Sequence, residues 1–236
     1  MEKPREDTSV TAYREHSAYT TSGVAADPEV AGLEVALTVE HGALKQQSRM
    51  LEDIEEEIQR RRAVLVIKDR ACDRVIRSFE LRLFDLVNKK RSDPQYTRYF
   101  PEGLREVTEA DMRQAEPAKV RTLIKSLGED AAKPGIGPLS AEFKPQFEAT
   151  VEEVEAAEKD LASVEEQATY LRDKTIPECK ARWTDEYVKL HGALRAQLPR
   201  DPARVESYFY AFKKERKKAE PAGGGEGGGG SGKPRG

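Results

Sequence analysis

The sequence predicts an all-α protein, an elongated antiparallel helical bundle with coiled-coil-like long helices. Three observations predict it. First, Leu37, Leu44, Leu51, Ile58, Leu65, Cys72, Phe79 and Leu86 fall at every seventh position with no proline between them. A seven-residue apolar period keeps one seam of a helix facing one partner. Second, Phe143, Phe147, Val151, Val154, Ala157, Leu161, Val164, Ala168 and Leu171 recur at spacings of three and four, the stripe of a second long amphipathic helix. Third, charged residues make up 35% of the chain and aromatics 7%. That charge exceeds the roughly 25% of an average globular domain and suits helices with much solvated surface.

Taken in order, residues 1–28 are rich in Thr, Ser, Ala and charge and show no apolar periodicity, so they are expected to be disordered. A helical bundle is expected over residues 29–218. Asp27-Pro28 reads as a helix start, with Asp as N-cap and Pro at the first helical position. The first long helix then runs over about 29–91 and stops at Ser92-Asp93-Pro94. Its charged middle is supported by Glu56–Arg60 and Glu57–Arg61, one turn apart. Residues 93–104 form an aromatic loop carrying Tyr96, Tyr99 and Phe100, read as a plug for one end of the bundle. A short helix is expected over about 117–127, with Val120, Leu123, Ile124 and Leu127 on one face and Gly128 after its end. The second long helix spans about 140–198 and is expected to kink at Pro177. Beyond the kink its stripe resumes with Trp183, Tyr187, Leu190, Leu194 and Leu198. A last helix is expected over about 203–218, followed by a disordered Gly-rich tail at 219–236.

Folding the second long helix back on the first is supported by charge. With Leu86 level with about Pro145, paired residue numbers sum to about 231, and the acidic run Glu52–Glu57 lies beside Arg172, Lys174, Lys180 and Arg182. Exposed pairs contribute only about 0–1 kcal/mol each, so charge selects the register more than it holds the fold.

Few features point to chemistry. No phosphate-binding loop, dinucleotide fingerprint or nucleophile elbow is present, so a non-enzymatic protein without a cofactor is expected. Cys72 and Cys179 show no paired spacing and are expected to be reduced. His41 and His191 fall at one level of the expected hairpin, which makes them candidate metal ligands. The Glu-x-x-His spacing of di-iron bundles is missing, however, since Thr38 and Val188 stand three residues before them. The strongest binding candidate is the aromatic–basic stretch Tyr208, Phe209, Tyr210, Phe212, Lys213, Lys214, Arg216, Lys217 and Lys218. Rings followed by cations suit a nucleic-acid backbone or an anionic surface; the plainer reading docks the rings on the bundle and leaves the cations at a helix C-terminus. The net charge of −3 gives no whole-chain attraction to polyanions.

The first residues hold no apolar core and no run of about 18 apolar residues occurs, so neither a signal peptide nor a transmembrane span is expected, and a cytoplasmic location is. The expected function is that of a structural or interaction protein, a scaffold or adaptor working through helical surfaces. Its expected partner is another protein, with self-association a further expectation. The alternatives are binding of nucleic acid or an anionic membrane surface through the C-terminal helix, and a metal-binding bundle.

Overall fold

The computed structural model describes residues 1, 3–5, 7–110, 113 and 115–210. Among these every regular element is helical: α1 (Val10–Ala25), α2 (Val35–Leu86), α3 (Pro94–Tyr99), α4 (Arg105–Thr108), α5 (Ala115–Glu129), α6 (Ile136–Tyr170), α7 (Ile176–Gln197) and α8 (Pro202–Ser207). Antiparallel long helices carry the fold, as the two stripes predict. The chain divides into two compact units, one of residues 1–38 and 184–236, the other of residues 39–183.

The larger unit holds most of α2, the helices α3 to α6 and the start of α7. Its seam is the period-seven stripe. Ile58, Leu65, Cys72 and Phe79 are buried, and Leu51 packs partly against them. The stripe ends before Leu86, which is 37% exposed, while Leu83 and Val87 are buried instead. A straight helix of 3.6 residues per turn drifts about 20° per heptad from an exact 3.5 repeat. By the end of α2 the buried row has therefore moved to Ile76, Leu83 and Val87. The Phe79 ring meets the rings of Tyr99, Phe100, Phe143 and Phe147 at centroid distances of 5.4, 5.9, 5.5 and 5.6 Å. The aromatic segment is thus the expected plug, but it is a short helix rather than a loop. Asp93 caps α3 by accepting a 2.8 Å bond from the Gln95 N–H, and Pro94 occupies the first turn.

Ion pairs across the hairpin give its register. Arg82 pairs with Glu142, Lys68 with Glu153, Arg61 with Asp160, Arg62 with Glu165, Glu55 with Arg172 and Glu40 with Arg182. Paired numbers sum to between 221 and 227, four to ten below the expected 231, so the expected register is corrected by about a heptad on average. The expected contact of Glu55 with Arg172 is present at 2.7 Å. The expected register also sets Arg70, Arg74 and Arg77 beside Glu153, Glu155, Glu158 and Asp160; the partner of Asp160 is instead Arg61. The slip arises because α6 starts earlier than expected. Gly135, at φ +82°, caps it, and Pro145 lies inside the helix rather than at its start. A Cβ on Gly135 would fall 2.8 Å from Leu86, so this glycine brings the start of α6 close to the end of α2.

Pro177 perturbs the second long helix just upstream of itself. Residues Leu171–Thr175 form a π-helical turn in which the Ile176 N–H donates to the Leu171 carbonyl, five residues back. Proline lacks an N–H and its ring crowds the carbonyl four residues earlier, here Asp173. The widened turn makes room for that ring.

The smaller unit corrects the expectation of disorder over residues 1–28. Residues 10–25 form α1, capped by Ser9, whose hydroxyl accepts from the Ala12 N–H at 3.2 Å. Its buried face is Tyr13, His16, Ser17, Thr20 and Val24, a helical spacing carried almost wholly by polar side chains. Asp27-Pro28 opens a turn rather than α2. The Asp27 carbonyl accepts from the Val30 and Ala31 N–H groups, and Gly32 at φ +98° then ends that turn before α2 begins at Val35. The last expected helix, 203–218, is shorter in the structure: α8 ends at Ser207. Tyr208 and Phe209 are both buried, and a helix rotating 100° per residue cannot easily turn two successive rings into one core. Phe212, the basic residues 213–218 and the Gly-rich tail lie outside the described residues.

Candidate functional site

The aromatic–basic candidate is docked as far as it is described. Phe209 stacks edge-on against Tyr187 and His191, each with centroids 5.1 Å away. Tyr208 donates to Asp27 Oδ2, which also accepts from the Nε–H and an Nη–H of Arg204. These bonds hold the Asp27 carboxyl at about 2, well below the usual range. Tyr210 is the ring of the three that remains open, 43% exposed and 5.4 Å from Tyr19.

The histidine pair is divided between the two units. His191 belongs to the smaller one and pairs with Glu206 at 2.8 Å; His41 belongs to the larger and is half-buried on α2. No group of three or more His, Cys, Asp or Glu among the described residues is arranged to hold a metal.

One acidic cluster lies inside the larger unit. Glu116, in the first turn of α5, is buried and bonded to Asp69, with Asp73 and Cys72 close by. Burial and the two neighbouring carboxylates push its pKa up to about 8. Burial likewise pushes the Cys72 thiol up to about 12, with Thr150 of α6 as its hydrogen-bond partner. A thiol held protonated is a poor nucleophile; the bond from Glu116 to Asp69 ties the start of α5 to α2. Cys179 is also buried and reduced, its sulfur accepting from Arg182.

What α2 presents to solvent is more informative. Beside the buried seam runs a flank of positions, again seven apart: Glu40, Gln47, Ile54, Arg61, Lys68, Val75 and Arg82. Four of them reach across the hairpin, Glu40 to Arg182 at 3.1 Å, Arg61 to Asp160 at 3.1 Å, Lys68 to Glu153 at 2.9 Å and Arg82 to Glu142 at 3.5 Å. The sign of these latches reverses between Glu40 and Arg61. At the reversal stands Ile54, which cannot bridge, and there the hairpin opens a groove of about 440 Å³ lined by Met50, Ile54, Ser163, Gln167, Tyr170 and Leu171, with Glu166 at its edge.

One step further round α2 exposed apolar residues stand among charged ones. Met50 and Val64 share one row, while Val39, Ile67 and Leu81 share the next; their exposures are 42%, 47%, 63%, 59% and 58%. A helix buries one apolar stripe by packing on one partner. On the outer side these apolar residues stand exposed among Asp53, Glu57, Arg60 and Arg74, a mixed face on which apolar and charged groups alternate. This face was missed in the sequence because the seam accounted for the heptad. The signal was present: with Leu37 at position 1 of the repeat, Met50 and Val64 stand at its seventh position and Val39, Ile67 and Leu81 at its third. A further hollow of about 290 Å³ between α5 and α6 is ringed by Arg121, Lys125, Glu148 and Glu152 and mixes both signs of charge.

No helix among the described residues is long and apolar enough to cross a membrane. Comparison with known proteins returned no match to a family model, to a curated protein or to a solved structure.

Proposed function

We propose that this chain is a non-enzymatic interaction protein, a scaffold or adaptor that works through the outer face of α2 and the groove beside it. The observation that carries this reading is the Met50–Ile54–Tyr170–Leu171 groove, with Val64 and Ile67 exposed further along the same side of α2. A groove with an apolar floor and a charged rim suits an amphipathic helix from a partner. The two buried, reduced thiols fit a reducing compartment and so favour the cytoplasm as the place of action. The rival, nucleic-acid or anionic-surface binding through residues 208–218, is less well supported because Tyr208 and Phe209 are buried and cannot stack on bases.

The test compares the wild-type chain with a Met50→Asp/Ile67→Asp variant as bait. Both positions are exposed, so the variant should keep its helicity and melting temperature. Loss of a defined set of co-purifying proteins from the variant alone is the expected result. Identical capture by the two baits, or salt-sensitive capture of nucleic acid by both, would overturn the reading.

A further inference from the structure

Resting on that reading, we infer that the partner of this face is a second copy of the chain, its α2 lying antiparallel across the first about a two-fold axis midway between Ile58 and Gln59. The face is self-complementary about that point. Glu57 and Arg60 stand at equal distances on either side of it, and so do Met50 and Ile67. At 1.5 Å rise per residue the latter two lie about 13 Å from the axis.

Antiparallel pairing about this axis sets Glu57 of each copy against Arg60 of the other, twice. It also sets Met50 of each copy against Ile67 of the other, twice. Ile67, exposed on its own chain, then enters the groove lined by Met50, Ile54, Tyr170 and Leu171. Val64, in the adjoining row three residues before Ile67, covers the edge of the same contact. Parallel pairing would place Glu57 on Glu57, Arg60 on Arg60 and Asp53 on Asp53 and is disfavoured by like charge. The arrangement is isologous, so it closes at two copies and does not propagate into fibres. The charges it uses are spare. Glu57 and Arg60 now bond within α2, to each other at 3.2 Å, with Arg61 on Glu57 at 2.6 Å and Glu56 on Arg60 at 3.1 Å. Such solvent-exposed pairs along one helix contribute little and are readily exchanged. The contact is short, a few side chains from each copy, so it belongs with the weaker, reversible associations.

The experiment is sedimentation velocity of the full chain over a concentration series, with circular dichroism as a check of folding on each variant. The wild type should show a concentration-dependent monomer–dimer equilibrium. Ile67→Asp should be monomeric throughout. Glu57→Arg and Arg60→Glu should each weaken the dimer by about tenfold or more, since each sets like charges together at the axis. The double variant Glu57→Arg/Arg60→Glu should restore the wild-type constant to within a few-fold, because the exchange preserves every cross-axis pair. A double variant no better than the singles would overturn the antiparallel pairing. A wild-type chain monomeric at every concentration would overturn self-association. If such a monomer still loses its captured proteins on Met50→Asp/Ile67→Asp, the interaction reading stands and only the identity of the partner falls.

Discussion

The two units are both helical but are held by different chemistry. In the larger unit the seam between α2 and α6 is apolar: Ile58, Leu65, Cys72, Ile76 and Phe79 of α2 lie buried, as do Phe143, Phe147, Val151, Val154 and Leu161 of α6. In the smaller unit α1 buries Tyr13, His16, Ser17, Thr20 and Val24. The Tyr13 hydroxyl is hydrogen-bonded to Thr184, the Tyr187 hydroxyl reaches Thr20, the Tyr19 hydroxyl donates to the Ser207 carbonyl at 3.0 Å, and Asp27 gathers Arg204 and Tyr208. An apolar contact is indifferent to pH and tolerant of small shifts. A buried polar contact depends on protonation and leaves an unsatisfied group when one partner is removed. The units should therefore fail under different perturbations.

The largest expected effect lies in the apolar unit. Phe79 is fully buried and touches four other rings. Phe79→Ala should destabilise the larger unit by about 3–5 kcal/mol, read as a fall in the denaturation midpoint. A change within the scatter of repeated melts would mean that this ring is not the centre of the core.

Next comes acid. Asp27 has its carboxyl held at about 2 by Tyr208 and Arg204. A carboxyl depressed in the folded state contributes stability above its unfolded pKa, near 4, and loses it as the pH falls through the folded value. Amides of α1 and α8 should therefore lose hydrogen-exchange protection between about pH 4 and 2, ahead of those at the Phe79 core. Asp27→Asn should remove that transition. Equal protection in both units down to pH 2 would contradict the contrast.

The smallest effect runs the opposite way, at a buried carboxyl of the larger unit. Glu116, bonded to Asp69, has its carboxyl raised to about 8. A carboxyl raised in the folded state favours folding while it is protonated, and that advantage is lost as the pH climbs from about 4.5 towards 8. The melting temperature should drift downward over that window, and Glu116→Gln should flatten the drift. An unchanged slope in the variant would assign the drift to other groups.

This contrast also explains what could be read from the sequence. The seam of α2 and the stripe of α6 were legible because each repeat is written in Leu, Ile, Val and Phe. Even the sign change that pairs Glu55 with Arg172 could be read, although the register lay four to ten residues away because Pro145 sits within α6 rather than at its start. The helix α1 was not legible. Its buried face has the right spacing, but it is spelt in Ser, Thr and His, which score as surface. The outer face of α2 was hidden for another reason: a single seam accounts for a heptad, so Met50, Val64 and Ile67 read as scattered apolar residues until the fold showed all three exposed on the side away from the seam. Tyr208 and Phe209 were named as a binding candidate, and the structure turns both rings inward.

The account rests on α2 closing its apolar seam within its own chain, which leaves its outer face exposed. A short bismaleimide between paired cysteines, with Cys72 and Cys179 replaced by alanine and the protein diluted to favour monomer, tests that most directly. Lys68 and Glu153 face each other across the hairpin at 2.9 Å, so Lys68→Cys/Glu153→Cys should cross-link within one chain. Lys68→Cys/Ser163→Cys, the pair that the register of 231 would bring together, should not. Cross-linking of 68 to 163 in preference to 153, or only between separate chains, would contradict the hairpin and with it the free outer face of α2.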